Sequence, residues 1–166
     1  MKKLINLSML LCLLAGCSKP TVDNSVVNDF DLNRYLGSWY EIAHFDHKFE
    51  RGMEQTKATY NLRKDGKVDV LNTGMKNGKL SEAKGVAKLT DTPSLLRVSF
   101  WGPFYSDYRI MLLDDDYQYA LVGSGSDDYL WILSRTPQIS DKIKDLILTE
   151  AQKRGYDTDK LIWVKQ

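Results

Sequence analysis

The chain has 166 residues, which is enough for one domain with a substantial core. Its 23 basic and 22 acidic residues give a formal net charge of +1, and this balance gives no support for nucleic-acid binding. The two cysteines, Cys12 and Cys17, both lie near the N-terminus. The folded part must therefore be stable without disulfides.

The N-terminus has the pattern of a secretory signal. Lys2 and Lys3 precede an apolar stretch, 4–14, that is short for a membrane-spanning helix. Leu14-Ala15-Gly16-Cys17 ends this stretch, and small residues before a cysteine resemble the bacterial lipoprotein signal. The resemblance implies cleavage before Cys17 and acylation of this residue with chains such as palmitate. The alternative is an ordinary signal peptide with an incidental cysteine.

The same resemblance implies a location. Ser18 follows the cysteine, instead of the Asp that favours inner-membrane retention, so we expect a lipid anchor in the outer membrane and a protein that faces the periplasm. We predict a signal peptide at 1–16, a lipidated cysteine with a flexible polar tether at 17–30, and one folded domain at 31–166.

The domain has the pattern of a meander of short strands. Turn signals such as Asp65-Gly66 and Asn77-Gly78 separate the runs. Apolar and polar residues alternate in the early strands, which predicts one inner and one wet outer face. Eight strands are predicted, at 39–45, 55–63, 67–73, 79–89, 94–100, 108–113, 118–123 and 129–135. Their regular spacing favours an all-β, up-and-down antiparallel barrel.

The last predicted strands are apolar on both faces, so something must cover them outside. Apolar residues at helical spacing follow: Ile139, Ile143, Leu146, Ile147 and Ala151. Ser140 is a candidate N-cap, and Gly155 ends the helix. We predict one helix outside the barrel and a short final strand at 160–164.

Trp39 and Arg135 indicate closure of the barrel. Trp39 lies on the first predicted strand behind Gly37, and Arg135 ends the eighth. Neighbouring first and last strands would let the guanidinium cover the indole face, an interaction worth about 0.5–2 kcal/mol.

Three segments together resemble the lipocalin signatures: Gly37-Ser38-Trp39, the turn with Asp114 to Asp116 before Tyr119, and Arg135. Trp39 to Ala43, Phe100 to Tyr105 and Tyr129 to Pro137 are similar to segments of bacterial lipocalins. Gln118 departs from the family, in which Asn is common. The resemblance implies that Gly37, Trp39 and Arg135 close one end of the barrel.

The resemblance also implies a function, namely the storage or transport of fatty acids or lysophospholipids in the cell envelope. The predicted ligand contacts are Tyr60, Val70, Phe100, Arg109, Met111, Val122, Trp131 and Leu133. Arg109 would bind a lipid headgroup if it faced the cavity, or lie outside over the surface. The aromatic segment 100–105 is expected to contact the membrane, gate the mouth or mediate a homodimer.

The sequence shows no catalytic set, so we expect no enzyme and no cofactor. The two histidines, His44 and His47, stand at the end of the first predicted strand. Rings so spaced on a strand point to opposite faces unless the chain turns, and we predict no metal site. The alternatives are a haem or tetrapyrrole carrier that uses either histidine, and a lipid-modifying enzyme on the same scaffold.

Overall fold

A computed structural model describes residues 22–166. The predicted signal peptide and Cys17 lie outside the described residues. The strands are β1 (Gly37–His44), β2 (Met53–Leu62), β3 (Val68–Lys76), β4 (Lys79–Leu89), β5 (Leu95–Trp101), β6 (Phe104–Leu113), β7 (Tyr119–Gly123), β8 (Leu130–Ser134) and β9 (Ile162–Trp163). The helices are α1 (Leu32–Tyr35) and α2 (Asp141–Lys153), with a 3-10 turn at Thr158–Lys160.

The strands form one closed antiparallel sheet, which confirms the predicted barrel. Each of β1 to β8 pairs with its sequence neighbour, and β1 closes the ring by pairing with both β2 and β8. β9 adds beside the mouth end of β1, where Trp163 pairs with Ala43. Asn77 and Gly78 both have positive φ and form the two-residue turn between β3 and β4.

The barrel has one closed and one open end. α1 covers the end at which β1 begins, and Asp31 caps this helix by accepting a hydrogen bond from the Asn33 amide. The loop 45–52, the two hairpins after β3 and β5, and the loop after β7 surround the opposite end, which we call the mouth. β5 and β6 are separated only by Gly102 and Pro103, so the predicted aromatic loop is a tight hairpin instead.

α2 covers the outer face of the late strands, as their apolar pattern predicts. The Ser140 side chain accepts a hydrogen bond from the Ile143 amide and caps the helix. Ile147 and Ala151 are fully buried against outward-facing residues such as Leu121 and Ile132. Among residues 22–166, no helix is long and apolar enough to cross a membrane.

The segment 22–30 packs against the barrel, so the predicted boundary of the flexible tether at residue 30 is wrong. The Val27 amide donates to the Ile110 carbonyl over 2.9 Å, and the Asp23 amide donates to the Arg154 carbonyl over 2.8 Å. Phe30 packs against the interior cluster at the closed end. The segment runs from the mouth side, at Val22, down the outer wall to the closed end.

Candidate functional site: the barrel interior and its mouth

The closed end is sealed by Trp39 and Arg135. Trp39 is fully buried, and its indole nitrogen donates to the Tyr35 carbonyl over 2.8 Å. The Arg135 guanidinium carbon lies 3.9 Å from the centre of the indole ring. Arg135 also donates to the Ser38 and Arg34 carbonyls over 2.9 and 2.8 Å, so it ties the first strand to the closing helix.

Three tyrosines occupy the interior directly above this seal. The Tyr108 hydroxyl lies 2.7 Å from that of Tyr35 and 2.9 Å from that of Tyr60. Burial raises the pKa of all three phenols, so they remain neutral hydrogen-bonding groups at physiological pH. Tyr108, which the sequence did not single out, is the centre of this network.

Four of the eight predicted ligand contacts, Tyr60, Val70, Val122 and Leu133, belong to the buried interior cluster. Phe100 also faces inward, but it lies near the mouth and remains exposed. A Cβ atom on Gly85 would come within 2.9 Å of the Phe100 ring, so this glycine makes room for the ring on the inner wall. Trp131 faces inward beneath the mouth loop.

Arg109 and Met111 are on the outside, so their prediction as ligand contacts is wrong. Arg109 pairs with Asp107 over 2.9 Å and lies beside the Asn24 carbonyl of the N-terminal segment. Met111 is buried beneath α2, where the Tyr156 hydroxyl lies 3.5 Å from its sulfur. The part of β6 from Tyr108 to Leu113 is covered on both faces and is apolar apart from Arg109, so its sequence does not show which side chains point inward.

A polar cluster lies inside the barrel just below the mouth. His44 and Glu41 come from β1, and His47 and Glu50 come from the mouth loop 45–52. All four residues are buried. The Trp131 indole nitrogen donates to Glu50 Oε2 over 3.3 Å, and this oxygen lies 3.5 Å from His44 Nδ1. The chain turns after His44, which is the case in which the two histidine rings need not point to opposite faces, and the ring centres lie 6.0 Å apart.

Burial determines the protonation of this cluster. It lowers the pKa of His44 and lowers that of His47 to about 4, so both imidazoles are neutral at pH 7. Burial also raises the pKa of Glu50 and of Glu41, and the neighbouring Glu50 carboxyl raises that of Glu41 further. Glu50 and Glu41 were not predicted as site residues, since only the turn in the mouth loop brings Glu50 back inside.

A separate groove of about 310 Å³ lies outside the barrel, on the outer faces of β1 to β4. Tyr40, Met75, Leu80 and Pro137 provide its apolar lining. It shares no residue with the interior cluster or with the polar cluster.

Comparison with known proteins agrees with this geometry. The family model of the lipocalin-like domain matches residues 30–166. This chain belongs to the lipocalin family. The outer membrane lipoprotein Blc of Escherichia coli K12 is 50% identical over 160 residues, which cover 93% of this chain and 90% of the relative. Blc of Vibrio cholerae is 44% identical over 165 residues, which cover 95% and 96% of the two chains.

Solved lipocalin structures share the fold at much lower identity. Insecticyanin from the tobacco hornworm Manduca sexta superposes with a TM-score of 0.72 at 23% identity, over 89% of this chain and 85% of that one. Crustacyanin H1 from the lobster Homarus americanus superposes with a TM-score of 0.68 at 21% identity, over 84% of this chain and 80% of that one. These two matches support the barrel and its closing elements only.

The bacterial relatives extend the description beyond the fold. The protein is a Blc-like lipocalin and a lipid-anchored lipoprotein of the outer membrane, as its N-terminal pattern predicts. Membership of the lipocalin family implies binding of a small hydrophobic molecule.

Proposed function

We propose that this lipocalin binds a single-chain lipid, either a fatty acid or a lysophospholipid, and stores or transports it in the cell envelope. The observation that supports this most directly is the unequal filling of the barrel. Large aromatic side chains fill the closed end, whereas Ala83 and Phe100, which face inward near the mouth, remain exposed. The space that we propose for the lipid therefore lies along the mouth half of β4 and β5.

Small residues line this part of the wall. Ala83 presents only a methyl group on the inner side of β4, while Gly85 makes room for the Phe100 ring and Gly74 makes room for Met53 and Thr56. An acyl chain laid against this wall gains about 0.8 kcal/mol for each methylene that it buries. Affinity would thus come from partition, without a reaction step.

Asn72 supplies a polar group on the same wall. It pairs with Ala58 and Ala83 in the neighbouring strands, and its Oδ1 is buried without a hydrogen-bond partner among the described residues. A buried polar atom without a partner costs about 1–3 kcal/mol, and a hydroxyl of the ligand would remove this cost. Asn72 thus takes the headgroup-orienting role predicted for Arg109.

We test the binding with a matched pair of substitutions on β4. Ala83→Trp places an indole in the proposed space, whereas Lys84→Trp places the same group on the outer face of the same strand. In a Cys17→Ser background, native mass spectrometry follows the titration of delipidated protein with lysophospholipid, fatty acid and diacyl phospholipid. We expect Ala83→Trp to weaken single-chain lipid binding about tenfold or more and Lys84→Trp to leave it unchanged.

Failure of all three lipids to bind the parent protein would refute the proposal, and equal effects of the two substitutions would place the lipid outside the barrel. The haem alternative predicts a shifted Soret band that is lost when both histidines are replaced by alanine. The geometry does not favour it, because Phe49 and Tyr129 cover the ring of His47 with centroid distances of 5.3 and 4.6 Å.

The mouth carries a surface suited to contact with the membrane. Trp101 and Phe104 flank the β5–β6 hairpin and are 82% and 78% exposed. The N-terminal segment also leaves the barrel on this side, since the Asn24 side chain donates to the Ser124 carbonyl behind β7. The four residues between Cys17 and Val22 give five Cα–Cα steps, which reach at most about 17 Å. We therefore propose that the lipid anchor holds the mouth against the membrane surface.

Vesicle flotation of the non-acylated Cys17→Ser protein tests this orientation. We expect weak binding to phosphatidylethanolamine vesicles that Trp101→Ala with Phe104→Ala abolishes, whereas Leu89→Ala, an exposed apolar residue at the closed end, leaves it intact. Equal flotation of all three proteins would contradict the proposal. Conversion of a dimer to a monomer by the double substitution, without a change in flotation, would instead assign the patch to the predicted homodimer.

A further inference from the structure

The turn in the mouth loop gathers three metal-binding side chains inside the barrel. The amides of Glu50 and Arg51 donate to the His47 carbonyl over 3.1 and 3.0 Å, and this turn points His47 and Glu50 back towards His44. One ligand atom from each of His44, His47 and Glu50 lies within 4.8 Å of the other two. The three residues are 3%, 6% and 7% exposed.

Two polar atoms of this cluster have no hydrogen-bond partner. His47 Nε2 and Glu41 Oε1 are buried, and neither finds a donor or acceptor among the described residues. Both residues are more than nine-tenths buried. Buried polar groups destabilise a fold when they are unpaired, so their retention in a small barrel calls for a partner.

The two carboxyl groups of the cluster also lack a cationic side chain beside them in the part of the chain that the structure describes. Glu41 and Glu50 are buried in one space below the mouth. Among residues 22–166, neither forms an ion pair with a lysine or an arginine; each lies within ion-pair distance of His44 alone. A divalent cation would compensate both carboxylates, and a neutral imidazole presents the lone pair that such an ion needs.

The surroundings orient the histidine rings for this role. His44 Nδ1 lies 2.7 Å from the Phe45 carbonyl, which favours the Nδ1–H tautomer and leaves Nε2 free, 3.8 Å from Glu41 Oε1. Phe49 and Tyr129 stack against the His47 ring and hold it in place, and its buried Nε2 has no hydrogen-bond partner among the described residues. Trp131 holds the Glu50 carboxyl from behind.

We propose that His44, His47 and Glu50, with Glu41 as a fourth ligand, bind one divalent transition-metal ion of the zinc class beneath the mouth. Two imidazole nitrogens and two carboxylate oxygens form a ligand set that zinc accepts in tetrahedral geometry. Ligand atoms of such a site lie about 3.3 Å apart, so the loop 45–52 closes slightly on binding. The ion then joins this loop to β1 and stabilises the covered form of the mouth. The site departs from the expectation of no metal.

The test uses the mature lipoprotein in detergent, purified without an affinity tag and stripped of metal by chelation. Zinc is titrated against a chromophoric chelator, and cobalt serves as a spectroscopic probe because tetrahedral coordination gives strong visible absorption. We expect one zinc per chain. His47→Ala and Glu50→Gln should each lower the affinity for zinc by at least about tenfold, since even the loss of an outer-shell partner has this effect. Glu82→Gln, which removes an exposed carboxylate from β4, serves as the matched control.

Two further readouts separate a lost ligand from a damaged fold. Trp131→Phe keeps an aromatic ring but removes the hydrogen bond to Glu50. It should lower the affinity for zinc and leave the circular dichroism spectrum unchanged. Zinc should also slow amide hydrogen exchange in the loop 45–52 of the parent protein. The proposal is refuted if the folded parent protein binds no zinc. It is also refuted if His47→Ala and Glu50→Gln leave zinc binding unchanged. Lipid binding is measured separately, so failure here leaves the proposed function in place.

Discussion

Removal of the Arg135 side chain should destabilise the barrel more than removal of any surface arginine. Arg135→Ala deletes hydrogen bonds to the carbonyls of Arg34, Tyr35, Ser38 and Tyr117, and also the contact with the Trp39 ring. α1, β1 and the turn between β6 and β7, which meet at the closed end, thereby lose their common donor.

The magnitude follows from these contacts. Each hydrogen bond contributes about 0.5–1 kcal/mol net, because water replaces the guanidinium at the freed carbonyls, and the cation–π contact contributes about 1 kcal/mol. We therefore expect the free energy of unfolding to fall by about 3–5 kcal/mol, which lowers Tm by about 10–15 °C in a domain of this size. Arg135→Lys keeps the charge but loses the planar fork, so an intermediate loss is expected.

Urea denaturation followed by tryptophan fluorescence and far-ultraviolet circular dichroism measures this loss. Arg63→Ala is the matched control, because Arg63 pairs with Asp65 and Asp69 on the surface at the same end of the barrel. We expect it to lower the free energy of unfolding by less than about 1 kcal/mol. A loss at Arg135→Ala as small as that at Arg63→Ala would refute the account of the closed end.

Two further predictions concern the interior and the N-terminal segment. The three interior phenols should resist ionisation in the folded protein at pH values where free phenols titrate: Tyr35, Tyr60 and Tyr108. Because unfolding releases their protons at these pH values, the free energy of unfolding should fall as the pH rises above 10. Phenolate absorbance that rises at the free-phenol pKa while the fold persists would count against this. Arg154→Ala should free the segment 22–30 to limited proteolysis, because the guanidinium donates to the Ser25 and Met111 carbonyls over 2.8 Å. Unchanged cleavage would show that Val27 and Phe30 hold the segment by themselves.

The alternation of apolar and polar residues was sufficient to predict the inner face of a strand where its other face is exposed to water. In β2, Lys57 and Thr59 alternate with Ala58 and Tyr60, and the pattern predicts correctly which side faces the interior. α2 follows in the same way, since its apolar stripe and the Ser140 cap depend only on neighbouring residues. Strand number, barrel class and the outer helix could thus be predicted from the sequence.

The patterns failed where both faces of a strand are covered. β6 carries Tyr108 and Ile110 inward, and Arg109 and Met111 outward, yet its run from Tyr108 to Leu113 is apolar apart from Arg109. The N-terminal segment and α2 lie over its outer side, so periodicity could not distinguish the two directions. A polar composition suggested a tether in the segment 22–30, although its backbone hydrogen bonds fix it to the barrel wall.

The sequence by itself determined that the barrel closes, because Trp39 and Arg135 can contact each other only when the first and last strands are neighbours. Tertiary structure decided what lies inside. His44, His47 and Glu50 are separated by short stretches of chain, but whether they meet depends on the direction of one turn over the mouth. Alternation along a strand is a local property with a period of two residues, whereas the direction of a loop depends on everything against which the loop packs.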